Sequence, residues 1–223
     1  MWDNGTWELT DVPTGQTVTP TEMLAERKRG ADGGIDKYKG RFVVRGDQQT
    51  YLVDYTEVWA PVLCYTTLRV FLAYCTARGM AIEQTDVATA FLTGDVEEEI
   101  YIHQPVGYER GDVTKVCRLR KALYGSKQAA RAWFHKLKEA LEAAGFQACP
   151  EDPCLFRRGT GPTECLIIVY VDDMLVAGAT KDAARDGLEA VTSRFKAREL
   201  GRPTYFLGLH LVHNDEEGTL HVH

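Results

Sequence analysis

Two adjacent carboxylates, Asp172 and Asp173, stand between two apolar runs, Cys165-Leu166-Ile167-Ile168-Val169 before Tyr170-Val171 and Met174-Leu175-Val176-Ala177-Gly178 after them. Short apolar runs bounded by polar residues read as buried strands, so the acidic pair sits at the bend of a β-hairpin. Like charges side by side repel unless a proton or a cation joins them. Oxygen donors of this kind suit Mg2+, which takes one or two carboxylates and completes its shell with substrate phosphates and water. Alone, an Asp-Asp pair also reads as a solvated turn. A third acid changes the balance. Ile82-Glu83-Gln84-Thr85-Asp86-Val87 reads as another strand, with Asp86 near its end. If the two strands lie side by side, Asp86, Asp172 and Asp173 make the carboxylate set of two-metal phosphoryl transfer, which holds its ions about 3.5–4 Å apart.

Other segments add to these acids in a fixed order. They are Asn4-Gly5-Thr6-Trp7-Glu8-Leu9, Tyr38-Lys39-Gly40-Arg41-Phe42-Val43-Val44-Arg45-Gly46, Asp86 to Phe91, and Gly94 to Tyr101 with Gln104-Pro105. Leu119-Arg120-Lys121-Ala122-Leu123-Tyr124-Gly125-Ser126-Lys127-Gln128, Arg131-Ala132-Trp133 and Tyr205-Phe206-Leu207-Gly208-Leu209 follow. In order and spacing the chain resembles the reverse transcriptase domain of copia-type LTR retrotransposon polyproteins, from about Asn4 to Leu211. The resemblance implies an α+β polymerase palm with a fingers subdomain, an antiparallel sheet backed by helices, and a thumb absent or truncated. One fingers/palm domain would span residues 1–223, with 1–80 and 104–150 mainly fingers and 81–103 and 151–223 mainly palm.

The implied reaction is RNA-directed addition of a deoxynucleotide to a primer 3′ end. Asp86 and Asp172 would bridge two Mg2+ ions (Mn2+ a possible substitute), Asp173 would lie toward the primer, and the Val87 carbonyl is a further candidate ligand. Phe91, five positions after Asp86, matches an aromatic under the incoming sugar that would exclude a 2′-hydroxyl; read alone it is a core phenylalanine. Lys39 and Arg41, two apart on a strand, share a face and could reach the nucleotide phosphates, and the sequence does not choose between them. Tyr124, Gly125 and Lys127 would lie near the nucleotide, with Gly125 permitting close backbone approach to substrate. Gln128, Tyr170, Phe206, Leu207 and Gly208 would contact primer and template, and Lys196 lies in a stretch that could protonate pyrophosphate. Expected partners are a primed RNA or DNA template, a dNTP, and the remaining polyprotein domains such as integrase and ribonuclease H. The expected setting is intracellular, in a cytoplasmic virus-like particle or the nucleus.

The short or missing thumb, the absent ribonuclease H, integrase and protease portions, the acidic net charge and a degraded outer hairpin keep a second function open, that of an inactive or truncated remnant acting only as a nucleic-acid- or protein-binding module. Ser126 and Ala130 replace the usual Leu and Pro. Glu22-Met23 stands where the family carries Lys-Trp, which predicts a loosened outer hairpin turning at Ala31-Asp32-Gly33-Gly34. A nucleotide cyclase, also a palm enzyme, is disfavoured by Gln104-Pro105 and the Leu123 to Gln128 segment.

Bulk properties fit either function. At 223 residues and 44% hydrophobic composition the chain can bury a sizeable core. A net charge of −6 is unhelpful for binding a phosphate backbone, yet basic residues cluster at 27–45 and 118–131, either as phosphate contacts or as solvated faces. No apolar run is long enough to span a bilayer, and no signal-peptide pattern opens the chain. The six cysteines form no CxxC pair and are expected to be reduced. His221 and His223 share a strand face but make a poor zinc site without a third ligand. Apolar spacing predicts helices at Thr66–Arg78, Arg131–Ala144 and Lys181–Phe195. Strands are predicted at Ile82–Val87, Ile100–Gln104, Val116–Leu119, Glu164–Tyr170, Met174–Gly178 and Tyr205–Val212.

Overall fold

Period-two apolar alternation and helical three-and-four spacing both recur along the chain, and both kinds of element form. The computed structural model describes residues 4–29 and 34–223. It begins with strands β1 (Trp7–Thr10), β2 (Val18–Thr19), β3 (Thr21–Arg29) and β4 (Ile35–Val44). Helix α1 (Tyr65–Ala77) and strand β5 (Ala81–Val87) come next, then β6 (Tyr101–Ile102), β7 (Val116–Leu119) and helix α2 (Ala129–Ala143). Strands β8 (Gln147–Ala148), β9 (Leu155–Arg158), β10 (Cys165–Tyr170) and β11 (Asp173–Gly178) lead into helix α3 (Lys181–Thr192). The last strands are β12 (Ala197–Gly201), β13 (Tyr205–Phe206), β14 (Leu209–Asn214) and β15 (Thr219–Val222). The architecture is mixed α/β, and among these strands β2 pairs with β6 in parallel while the other pairings are antiparallel. The chain divides into two compact units, Met1–Trp59 with Phe91–Trp133, and Ala60–Ala90 with Phe134–His223. None of the described helices is long and apolar enough to cross a membrane.

Unit one holds a four-stranded sheet in the order β1-β7-β6-β2 and the ribbon β3-β4. Its core gathers Trp7, Phe42, Val44, Ile100, Ile102, Cys117, Leu119 and Leu123. Trp7 meets Phe42 edge-on at 5.8 Å, which ties the ribbon base to the sheet. Each such fully buried side chain contributes about 1.5–3 kcal/mol. The ribbon is not loosened as the sequence predicted. It pairs from Thr21↔Val44 to Arg29↔Ile35 with one irregularity at Lys28/Arg29, because Phe42, the partner of Met23, is buried and anchors its base. The expected turn at Ala31-Asp32-Gly33-Gly34 lies, Gly34 apart, outside the described residues.

Unit two is built on an antiparallel sheet in the order β12-β5-β11-β10-β9-β8. Helix α3 begins at Thr180, whose hydroxyl accepts from the Ala183 N–H at 3.1 Å. It approaches the sheet closely because Gly187 has no Cβ; one there would collide with Cys165 and Val176. Phe134 of α2 meets Phe156, the β9 partner of Ile167, at 6.5 Å. Cys165, Ile167 and Val176 share one sheet face by strand alternation, so α2 and α3 cover that face. Asp173 and Leu175 point to the other one.

The predicted elements form with three changes. Strand Tyr205–Val212 turns back on itself at Leu207-Gly208, where φ is +48° and +86°. Strand Ile100–Gln104 shortens to Tyr101–Ile102. Gln104 instead ties down a loop, its Nε2 donating to the Asp112 and Lys115 carbonyls at 2.9 and 3.0 Å. Helix α3 ends at Thr192, not Phe195.

Candidate active site

The acids meet in unit two through strand register. Strand β5 pairs with β11 so that Asp86 stands directly opposite Asp173, with Thr85 opposite Met174 and Gln84 opposite Leu175. Strand β11 pairs with β10 so that Tyr170 is the partner of Asp173, which leaves Val171 and Asp172 as the two-residue turn. The Val87 N–H donates to the Asp172 carbonyl at 2.9 Å and joins the turn to the end of β5. All three acids are thus brought to one end of one sheet. Leu166, Ile168, Leu175 and Ala177 share the sheet face of Asp173 and are buried, so this face opens to solvent at the acidic end.

The turn carries strain. Val171 adopts φ +57°, a left-handed conformation that a β-branched side chain resists. Thr89, three residues beyond Asp86, has φ +57°, and Leu207 has φ +48°. Outliers of this kind cost about 1–3 kcal/mol each and cluster where surrounding structure and function require them.

Charge at the site is held by two groups that the sequence reading did not single out. Gln84 lies two residues before Asp86, on the same strand face, and its Nε2 donates to Asp173 Oδ1 at 3.0 Å. Arg198 is the β12 partner of Asp86, and its Nη2 is 3.9 Å from Asp86 Oδ2. Burial raises the Asp173 carboxyl above the usual aspartate range; the Gln84 hydrogen bond lowers it, and the charges of Asp86 and Asp172 add to the rise. Gln84 was legible from i, i+2 spacing. Arg198 was not, because β12 is an exposed edge strand without apolar alternation. Among the described residues, no three His, Cys, Asp or Glu side chains close on a point that would hold a metal ion. The backbone brings the acids together while Gln84 and Arg198 engage two of the side chains.

The same unit holds the predicted primer-side residues. Tyr170 is 37% exposed beside Asp173. Phe206 is buried in the core, and the Leu207 carbonyl accepts from the Tyr65 hydroxyl at 3.2 Å, so the β13-β14 turn is anchored to α1. Lys196 joins by its backbone, its carbonyl accepting from the Ala88 N–H at 2.9 Å.

Unit one carries the predicted nucleotide-side residues and, from the primer and template set, Gln128. Lys39 and Arg41 lie on one face of β4, with Glu26 directly opposite Lys39. Arg41 Nη1 pairs with Glu26 Oε2 at 3.0 Å. Phe91 packs edge-on against Tyr124, centroids 4.6 Å apart. The close approach at Gly125 is to the chain itself rather than to open space: φ is +87°, and a Cβ there would collide with the Val44 carbonyl. Its neighbour Tyr124 accepts from the Val44 N–H at 2.7 Å. The Gln128 side chain is also turned inward, with Nε2 donating to the Asp54 carbonyl at 3.1 Å, while the Lys127 N–H donates to Gln49 Oε1 at 2.8 Å. The Lys127 side chain is exposed.

Comparison with known proteins identifies the family. The chain is 35% identical over 211 residues to the Retrovirus-related Pol polyprotein from transposon TNT 1-94 of Nicotiana tabacum, an alignment covering 94% of this chain and 16% of that protein. It is 36% identical over 208 residues to the Retrovirus-related Pol polyprotein from transposon RE2 of Arabidopsis thaliana, covering 92% and 14%. The chain therefore spans a small fraction of these relatives' length. Residues 4–223 match the family described as Reverse transcriptase (RNA-dependent DNA polymerase). With the copia-type resemblance read from its motifs and this match over nearly all its length, the chain belongs to the reverse transcriptase family.

Proposed function

We propose that this chain is the polymerising domain of a copia-type retrotransposon, an RNA-directed DNA polymerase that adds deoxynucleotides to a primer 3′ end. One observation carries the reading: Asp86 stands in register opposite Asp173, with Asp172 in the adjoining turn. On this reading unit two carries most of the palm and unit one most of the fingers, although residues 60–80 and 134–150, expected in the fingers, belong to unit two and residues 91–103, expected in the palm, belong to unit one.

The donor chemistry suits divalent cations, with the side chains, among the described residues, not closed on one point. Three carboxylates reach one sheet end, and the contacts that engage two of them are a single hydrogen bond and an exposed ion pair, both readily exchanged. Asp86, Asp172 and Asp173, with the Val87 carbonyl, would hold the cations, and Mg2+ is the ion such oxygen ligands suit. When bound, the cations favour ionisation of the primer hydroxyl and neutralise the leaving pyrophosphate. Tyr170 and the Leu207-Gly208 turn position the primer strand. Lys39 and Arg41, on one face of β4, are the cations for the nucleotide phosphates, and the exposed Arg41–Glu26 pair excludes neither. Phe91, held by Tyr124, offers a flat ring against which a 2′-hydroxyl would clash. Gln128 and Gly125 serve by holding the Tyr124–Lys127 loop in shape.

The test is primer extension on a primed RNA template with Mg2+ or Mn2+. Wild type extends the primer, and Asp172→Asn abolishes extension with an unchanged circular dichroism spectrum. Binding of primer–template by wild type without extension would instead make the chain a binding module.

A further inference from the structure

Asp86 lies between two charged partners on its own sheet face. On one side is Asp173, opposite it in β11; on the other is Arg198, opposite it in β12. The Arg198 side chain is 71% exposed and that of Asp86 35%, so this is a contact at the rim and not a buried pair. Strand β12 is fixed beneath it, because Thr85 Oγ1 donates to the Arg198 carbonyl at 3.3 Å and the Ala88 N–H donates to the Lys196 carbonyl at 2.9 Å. The backbone position of Arg198 is therefore set by the same strand that carries Asp86, while its head group is free to move.

Without a cation, two carboxylates on adjacent strands and a third in the turn repel one another. One positive charge offsets part of that repulsion. A divalent cation entering among the same carboxylates competes with the guanidinium for Asp86. We infer that Arg198 is a positioning residue that acts as a resident counter-ion for Asp86, is displaced when a divalent cation binds, and so sets the cation affinity of the acidic end. This rests on the proposed function, because it takes the three acids to be the cation ligands.

Exposed ion pairs contribute about 0.2–1 kcal/mol, which corresponds to a factor of about 1.4–5 in affinity. The experiment is Mn2+ titration of the intact chain, without primer or nucleotide, followed by calorimetry and by the electron paramagnetic resonance signal of free Mn2+. Arg198→Gln should bind Mn2+ about 2–5-fold more tightly than wild type, and the gain should shrink in high salt. Arg198→Lys, which keeps the charge, should return the affinity close to that of wild type. In an Asp86→Asn background, Arg198→Gln should change nothing, because the guanidinium acts through Asp86. Thermal melting of Arg198→Gln without metal shows whether the fold is kept. An affinity unmoved by Arg198→Gln in a folded protein overturns the inference and leaves the acid site standing. A tightening that persists in the Asp86→Asn background also overturns it, since the guanidinium would then act on the cation directly. Wild-type binding unaffected by Asp86→Asn and Asp172→Asn would overturn the acid site itself, and the inference with it.

Discussion

Gln84 donates its side-chain amide to Asp173 across the β5–β11 pair, at 3.0 Å. That one bond does not offset the burial of the carboxylate and the two acids beside it, and Asp173 holds its proton more tightly than an ordinary aspartate. A carboxyl raised above its unfolded value favours the folded state at low pH. That contribution is lost as pH rises from the ordinary aspartate range through the raised value. Asp173→Asn keeps the acceptor for Gln84 and removes the charge. Without metal, this variant should melt a few degrees above wild type at neutral pH. The gap should close as the pH is lowered into the aspartate range. Equal or lower melting at neutral pH would contradict the assigned origin of the shift.

Gly125 makes one of the tight backbone contacts of unit one, beside Gly46. Ala at this position meets both a left-handed φ of +87° and the Val44 carbonyl. Gly125→Ala should cost about 2–4 kcal/mol. Trp7, Trp59 and Trp133 belong to unit one, so the urea midpoint of tryptophan fluorescence reads the loss there. A midpoint unchanged from wild type would show that the loop relaxes freely.

Glu164 is a buried carboxylate that serves the fold. Its side chain is 3% exposed and pairs with Arg157 at 2.9 Å and Arg78 at 3.5 Å, and the Tyr74 hydroxyl donates to it at 3.1 Å. The two arginines are half-exposed and can rehydrate when their partner is removed, whereas the Tyr74 hydroxyl loses its acceptor. Glu164→Ala should therefore destabilise unit two by about 2–3 kcal/mol. Denaturation followed by far-ultraviolet circular dichroism checks this, and a loss below about 0.5 kcal/mol, typical of a surface site, would contradict it.

The thiols sort by environment. Burial pushes Cys75, Cys117 and Cys154 up to about 12 and Cys165 up to about 11. Cys64 is exposed at the start of α1, where the Thr66 and Thr67 N–H groups lower it. Brief iodoacetamide treatment of the native protein should label Cys64 first, and the four buried thiols only after unfolding. Mass spectrometry reads the order, and early labelling of any buried thiol would contradict the described core.

The acidic hairpin was legible because apolar residues fill nearly every position of β10 and β11. Helix α1 was legible from Leu68, Phe71, Leu72 and Cys75, all buried. The pairing of the hairpin with the strand of Asp86 was not legible from local pattern, since register between β5 and β11 joins residues some ninety positions apart. The resemblance supplied that pairing. What escaped the sequence was exposed or irregular: the edge strand β12 with Arg198, and the reversal at Leu207-Gly208, where a leucine takes a left-handed conformation usually left to glycine or asparagine. Gly125 and Gln128 escaped differently. Their residue types suggested substrate contact, yet their partners are distant parts of the same unit, which no local pattern reveals.

The most direct measurement is site-directed cleavage by bound iron. Fe2+ loaded into the protein with ascorbate and peroxide cuts the backbone next to the ion. Cuts should appear together near Val87 and near Asp172, be suppressed by excess Mg2+, and vanish from both segments in Asp172→Asn. Cuts at one segment alone, or cuts that survive Asp172→Asn, would contradict a cation shared between the end of β5 and the acidic turn.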